Sequence, residues 1–188
     1  MQIVLEGLIG SGELWLDIMK IICGNTSSQS MVDLGCHKSP YTPLLGFKER
    51  TYIDIQNRPL DNPEEQKYFV QSDMISFLKS CDKKFDTAIS SDSIEHLRFE
   101  EVIDFLLLIK EKSEKQIIFT PLGPLCHSDD PHPDSHKSWW WSGDFPDYDT
   151  IILPNFHPEL QCGAFFAYNC SDKEKQRINN EITIKYDK

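Results

Sequence analysis

The sequence is short of several things, and each shortage excludes a class of function. None of its six cysteines (Cys23, Cys36, Cys81, Cys126, Cys162 and Cys170) forms a CxxC pair. They read as small buried residues in a reducing, cytoplasmic compartment. The amino terminus, MQIVLEGLIGSGELWLD, has no basic start and no long apolar run, so no secretory signal is expected. The apolar run FLLLI, 105–109, is far too short to span a bilayer, and no membrane partner is expected. Basic residues are scarce: 19 Lys and Arg stand against 30 Asp and Glu, a net charge of -11. Such a field repels phosphate backbones, which argues against a nucleic-acid partner. Glycine is missing where a nucleotide loop would want it. After the first buried strand only Gly35 remains, with His37 and Ser39 at the places of further glycines.

What is present is an alternation. GELWLDIMKII, 12–22, sets Leu14, Trp15, Ile18, Met19 and Ile22 at helical spacing. SMVDLG, ERTYIDIQ, KYFVQSD, FDTAISSD and KQIIFTP read as five strands, with helices over MISFLKSC and 97–112. DTIILPNF and GAFFAYNC follow close together, so one late strand should run antiparallel. The expected fold is α/β and Rossmann-like: a seven-stranded, mostly parallel sheet with an antiparallel late strand and helices on both faces. One domain spans 1–188, with a helical extension over 1–29, the core over 30–170 and a charged tail over 171–188. Within that tail EITIKY has the alternation of an edge strand.

The polar residues fall in register. Asp33, Asp54, Asp73 and Asp92 each stand where an apolar strand gives way to loop. A parallel sheet brings such positions to one edge, where ligands of these folds bind. Single aspartates there commonly cap helices, but four in register exceed what capping requires. Asp54 follows Asp33 by 21 residues, the spacing of a carboxylate that accepts hydrogen bonds from a ribose diol. The bulk of Cys36, His37, Lys38 and Ser39 disfavours a pyrophosphate against the loop. A nucleoside without phosphates needs less room.

At these residues the sequence resembles the small, single-domain class I S-adenosylmethionine-dependent methyltransferases (the type 11/12-like members). VDLGC, 32–36, is similar to the first motif of that family and YIDIQ, 52–56, to its ribose-binding motif. QSDM, 71–74, matches the adenine segment, FDTAISSDSIEHL, 85–97, the fourth-strand motif, and IIFTPLG, 117–123, the fifth strand and its turn. HKSWWWSGDF, 136–145, resembles a segment of some members. The resemblance implies S-adenosylmethionine as cofactor, with S-adenosylhomocysteine as product. It carries cofactor contacts to Asp33, Gly35 and Cys36, to Asp54 and Ile55, to Asp73 and Met74, and to Ser91 and Asp92. Asp33 would help position the methionine part, Asp73 would accept from the adenine amino group, and Ser91 and Asp92 would flank sulfonium and acceptor.

Methyl transfer is an in-line displacement, and its catalysis is mostly alignment. A base is needed only for an acceptor that keeps a proton of high pKa. His96 is the first candidate for a chemical role, against a structural one at a helix start. His127 and His136 are further candidates as acceptor contacts or bases. They lie in CHSDDPHPDSHKSWWW, expected to close over the acceptor with one of Trp139, Trp140 and Trp141 stacking on it. No ligand pair at fixed spacing supports a metal there, and none is expected. The acceptor should be a small molecule or a glycan-like surface-polymer precursor, and a homodimer is compatible with the sequence. Two alternatives stand beside this reading: a non-catalytic binding module on the same fold, and a nicotinamide-dependent oxidoreductase.

Overall fold

The structure, a computed structural model, describes residues 1–125 and 132–186. One eight-stranded sheet runs through it in the order β1-β7-β8-β6-β5-β2-β3-β4. The strands are β1 (Gln2–Val4), β2 (Ser30–Leu34), β3 (Glu49–Asp54), β4 (Phe69–Gln71), β5 (Phe85–Ser91), β6 (Ser113–Pro121), β7 (Asp149–His157) and β8 (Cys162–Asn169). Only β8 is antiparallel, pairing with β6 on one side and β7 on the other. The helices are α1 (Gly12–Cys23), α2 (Met74–Ser80), α3 (Phe99–Lys112) and α4 (Asp172–Tyr186).

Every residue of β2 is buried, as an apolar run flanked on both edges and covered on both faces should be. β3 and β4 wind outward from one edge of β2, and the chain then returns to lay β5 along the other. The winding therefore reverses between β2 and β5, and a crevice opens at their carboxyl ends.

Two helical layers close the faces. α1 begins where the Ser11 hydroxyl accepts from the Leu14 amide at 3.1 Å. Its Ile18, Met19 and Ile22 share one core with Ile178 and Ile182 of α4. On the other face, Leu78 of α2 and Val102, Phe105 and Ile109 of α3 pack on Val32, Leu34 and Ile118. Lys115 is buried at the carboxyl end of α1, donating to the Cys23 carbonyl at 2.9 Å and pairing with Glu174 at 2.6 Å. That places a cation among the helix's unpaired carbonyls and joins α1 to α4.

Three expectations change. The sheet has eight strands rather than seven, because β1 pairs in parallel with β7 and is followed by a bond from the Leu5 amide to the Ile152 carbonyl at 2.9 Å. Residues 1–29 are thus part of the sheet as well as a helix. The tail is a helix and not an edge strand: Ile178 and Ile182, four residues apart, are fully buried while Ile184 is 79% exposed. Burial follows the helical period, and EITIKY pairs with neither edge strand of the sheet. The third expected strand shrinks to β4, because Asn62 accepts from the Glu64 amide and Pro63 opens a 3-10 turn that runs to Tyr68. No helix of the described residues is long and apolar enough to cross a membrane.

Candidate active site

A cleft of about 850 Å³ opens at the carboxyl ends of β2, β3, β4 and β5. Asp33, Asp54, Asp73 and Asp92 all line it. Gly35, Cys36, Ile55, Met74, Ser91 and His96 line it too, so ten of the expected site residues meet in one place.

The loop after β2 holds its shape without the extra glycines. His37 and Ser39 both adopt left-handed backbone, with φ of 47° and 46°. Each departs from the conformation an L residue prefers. Hydrogen bonds hold them there. The His37 amide donates to Asp54 Oδ2 at 2.8 Å, and Ser39 Oγ donates to Asp33 Oδ2 at 2.9 Å. Thr42 Oγ1 adds a second donor to the same Asp33 oxygen at 2.7 Å. Gly35 has a φ of 75°, and a Cβ there would come within 2.6 Å of the Ser93 Cβ. Its freedom is needed for the close approach of Ser93.

The carboxylates differ. Asp33 is buried, and burial pushes its carboxyl up to about 6 against the opposing bonds from Thr42 and Ser39. Asp54 accepts from two backbone amides, those of His37 and Gln56, each at 2.8 Å on a different oxygen. Its side chain is fixed while lone pairs remain for a ligand. Asp73 Oδ1 accepts from the Ser76 amide at 2.8 Å and caps α2. Asp92, another left-handed residue with φ of 48°, is exposed to the cleft, and the reduced hydration inside the cleft raises its carboxyl. Behind it Glu95 is buried, raised first by that burial and then by the charge of Asp92. The Cys36 thiol is also pushed up by burial, which leaves it unreactive.

Of the three histidines, His96 borders the cleft with Nδ1 against the Ser135 carbonyl at 3.2 Å. Burial holds it below the ordinary imidazole range. His136 stands behind it, the two rings edge to face at 4.9 Å. His127 lies outside the described residues. None of Trp139, Trp140 and Trp141 lines the cleft. Trp140 is buried against Phe99 and Phe145, and Trp141 lies over Gly123, so the expected stacking platform is absent from that segment.

Residues that none of the motifs marks complete the wall. Trp15, Tyr41, Phe156 and His157 border the cleft from its amino-terminal and β7 side. A Cβ on Gly12 would lie 1.9 Å from the Tyr41 hydroxyl. The glycines flanking Ser11 were the available signal for that approach. Arg58 pairs with Asp134 at 2.6 Å, and Gln56 Nε2 donates to Asp134 at 2.9 Å. These contacts strap the segment 132–138 to the loop after β3, and the guanidinium holds the Asp134 carboxyl below its ordinary range.

No protein-family model matches the chain, and no curated protein matches it. Solved structures do. A SAM-dependent methyltransferase from Archaeoglobus fulgidus is 21% identical, with 85% of this chain and 95% of that chain covered and a TM-score of 0.59. Magnesium protoporphyrin IX methyltransferase from Synechocystis PCC 6803, with bound SAM, is 14% identical over 84% of this chain and 79% of that one, at a TM-score of 0.57. The fold is that of the class I methyltransferases. The bifunctional kinase-methyltransferase WbdD is 16% identical at a TM-score of 0.57, and the matched region is 84% of this chain but 39% of that one. In this methyltransferase fold the cleft occupies the switch point between β2 and β5.

Proposed function

We propose that the chain binds S-adenosylmethionine in this cleft and transfers its methyl group to a small-molecule or glycan-like acceptor. The observation that carries the reading is the convergence of Asp33, Asp54, Asp73 and Asp92 around one cleft at the switch point. With Glu101 and Asp134, six acids line it against two bases, Arg58 and Lys137. Such a field favours a cation. Two like charges about 5 Å apart at an effective dielectric of about 20 repel by about 3 kcal/mol, which weighs against a dinucleotide's pyrophosphate.

When bound, the cofactor supplies an activated methyl carbon on a cationic sulfur. The chain's residues do the rest by position. Asp54, held by two amides, is set to accept the ribose hydroxyls. Ile55 and Met74 offer apolar surface for adenine, and Asp73 keeps one oxygen beyond its cap. Gly35 and Asp33 border the methionine end. Ser91 and Asp92 border the sulfur, and His96 marks the acceptor end. Isothermal calorimetry separates this reading from its rivals. Saturable binding of S-adenosylhomocysteine, weakened at least about tenfold in Asp54→Ala and absent for NADH, supports it. NADH binding alone would favour an oxidoreductase, and silence from both a partner-binding module.

A further inference from the structure

We propose that Glu95, His96 and His136 form a site for a divalent first-row transition metal ion in the cleft wall. One ligand atom of each lies within 4.8 Å of the others. The two imidazoles are already in the tautomer a metal needs. His96 Nδ1 faces the Ser135 carbonyl at 3.2 Å, and His136 Nδ1 faces the Leu125 carbonyl at 2.6 Å. A carbonyl only accepts, so Nδ1 carries the proton in both rings and Nε2 keeps its lone pair. That is the second-shell arrangement found behind metal-binding histidines.

Glu95 supplies the independent observation. It is 2% exposed, its Oε2 accepts from Thr120 Oγ1 at 2.9 Å, and among the described residues its Oε1 has no hydrogen-bond partner. Among the described residues no Lys or Arg forms an ion pair with it; its charged neighbour is Asp92, of the same sign. A buried carboxyl with an empty oxygen and no cation beside it must either keep a proton or take up a positive ion, and a divalent ion would fill that place.

The geometry asks the cluster to close. Ligands about 2.1 Å from one ion lie about 3.4 Å apart at tetrahedral angles, so atoms now within 4.8 Å of one another must draw in by up to about 1.4 Å. Two imidazoles and one carboxylate without sulfur suit Mn, Fe, Co, Ni or Zn better than Mg or Ca. Only His96 of the three lines the cleft, so the ion would stand at the cleft's edge. It would pin the 132–138 segment to the turn after β5. The Lys137 and Ser138 amides already donate there to the Glu95 carbonyl, at 2.7 and 3.0 Å. The spacing of single ligands hid this site from the sequence, because Glu95 and His96 lie far from His136 along the chain.

The test uses the untagged, chelator-treated chain titrated with Co²⁺ alone, followed by visible absorbance and by the thermal midpoint. The expected result is one saturable site with a ligand-field band and a raised midpoint. Glu95→Gln and His136→Ala should each weaken it at least about tenfold, while His132→Ala leaves it unchanged. Circular dichroism of each variant verifies folding, and His136→Ala, on the outer segment, serves if Glu95→Gln does not fold. Absence of saturable binding, or binding that both variants leave intact, overturns the proposal. No cofactor is added, so the result is separate from S-adenosylhomocysteine binding.

Discussion

Replacing His37 and Ser39 by glycine, one at a time, should move stability in opposite directions. Both residues sit at nearly the same left-handed φ, 47° and 46°. A glycine there releases about 1–2 kcal/mol of backbone strain and gives back about 0.5–1 kcal/mol in chain entropy. For His37 the account ends there, because its side chain is exposed and the bond to Asp54 comes from the backbone amide, which glycine keeps. His37→Gly should be neutral to about 1 kcal/mol more stable. Ser39 adds a hydroxyl bonded at 2.9 Å to the buried Asp33 carboxylate. Losing a bond to a charged acceptor costs about 1.5–3 kcal/mol, and Thr42 alone would remain. Ser39→Gly should therefore lose about 1–2 kcal/mol, leaving the two variants about 2 kcal/mol apart. Urea unfolding with unchanged m-values reads the difference. A Ser39→Gly chain as stable as His37→Gly would refute the claim that the hydroxyl, and not the backbone, holds this loop.

Three further outcomes follow from the packing and charge. Asp33 has a folded pKa of about 6 against an ordinary value of 3.8, so the folded chain holds that proton more tightly than the unfolded one. Stability from this group is therefore present below about pH 4 and is lost as pH rises through 6. Asp33→Asn should gain on the parent by up to about 3 kcal/mol between those limits in urea titrations, and a difference independent of pH would contradict the burial argument. Gly35→Ala should lose about 2–4 kcal/mol, because its Cβ would meet Ser93 at 2.6 Å on left-handed backbone. A thermal midpoint equal to the parent's would show that Ser93 yields freely. Ile182→Ala should cost about 2–5 kcal/mol and Ile184→Ala less than about 0.5. Equal losses would speak against the tail helix.

The core of the fold was legible because buried parallel strands are written as short apolar runs, and SMVDLG, FDTAISSD and KQIIFTP are such runs. The late antiparallel pair announced itself by its short connection. β1 escaped because three residues show no period; it exists through its ladder with β7. The tail misled because Ile182, Ile184 and Tyr186 alternate by chance, while the pair that matters, Ile178 and Ile182, only makes sense once α1 lies beside it. In the site, the four aspartates could be read from strand ends alone. Their second partners could not. The bonds from Ser39 and Thr42 to Asp33, the close passage of Ser93 over Gly35, and the strap from Arg58 to Asp134 join residues distant in sequence. The tryptophans failed for the same reason: Trp140 found a core of Phe99 and Phe145, and Trp15 borders the cleft instead.

The most direct test is a crystal structure of the chain grown with S-adenosylhomocysteine. The account predicts nucleoside density at the switch point, ribose hydroxyls on Asp54, the adenine beside Ile55 and Met74, and the sulfur near Ser91 and Asp92. A clear map with that cleft empty at saturating ligand, or with the nucleoside bound elsewhere, would contradict it.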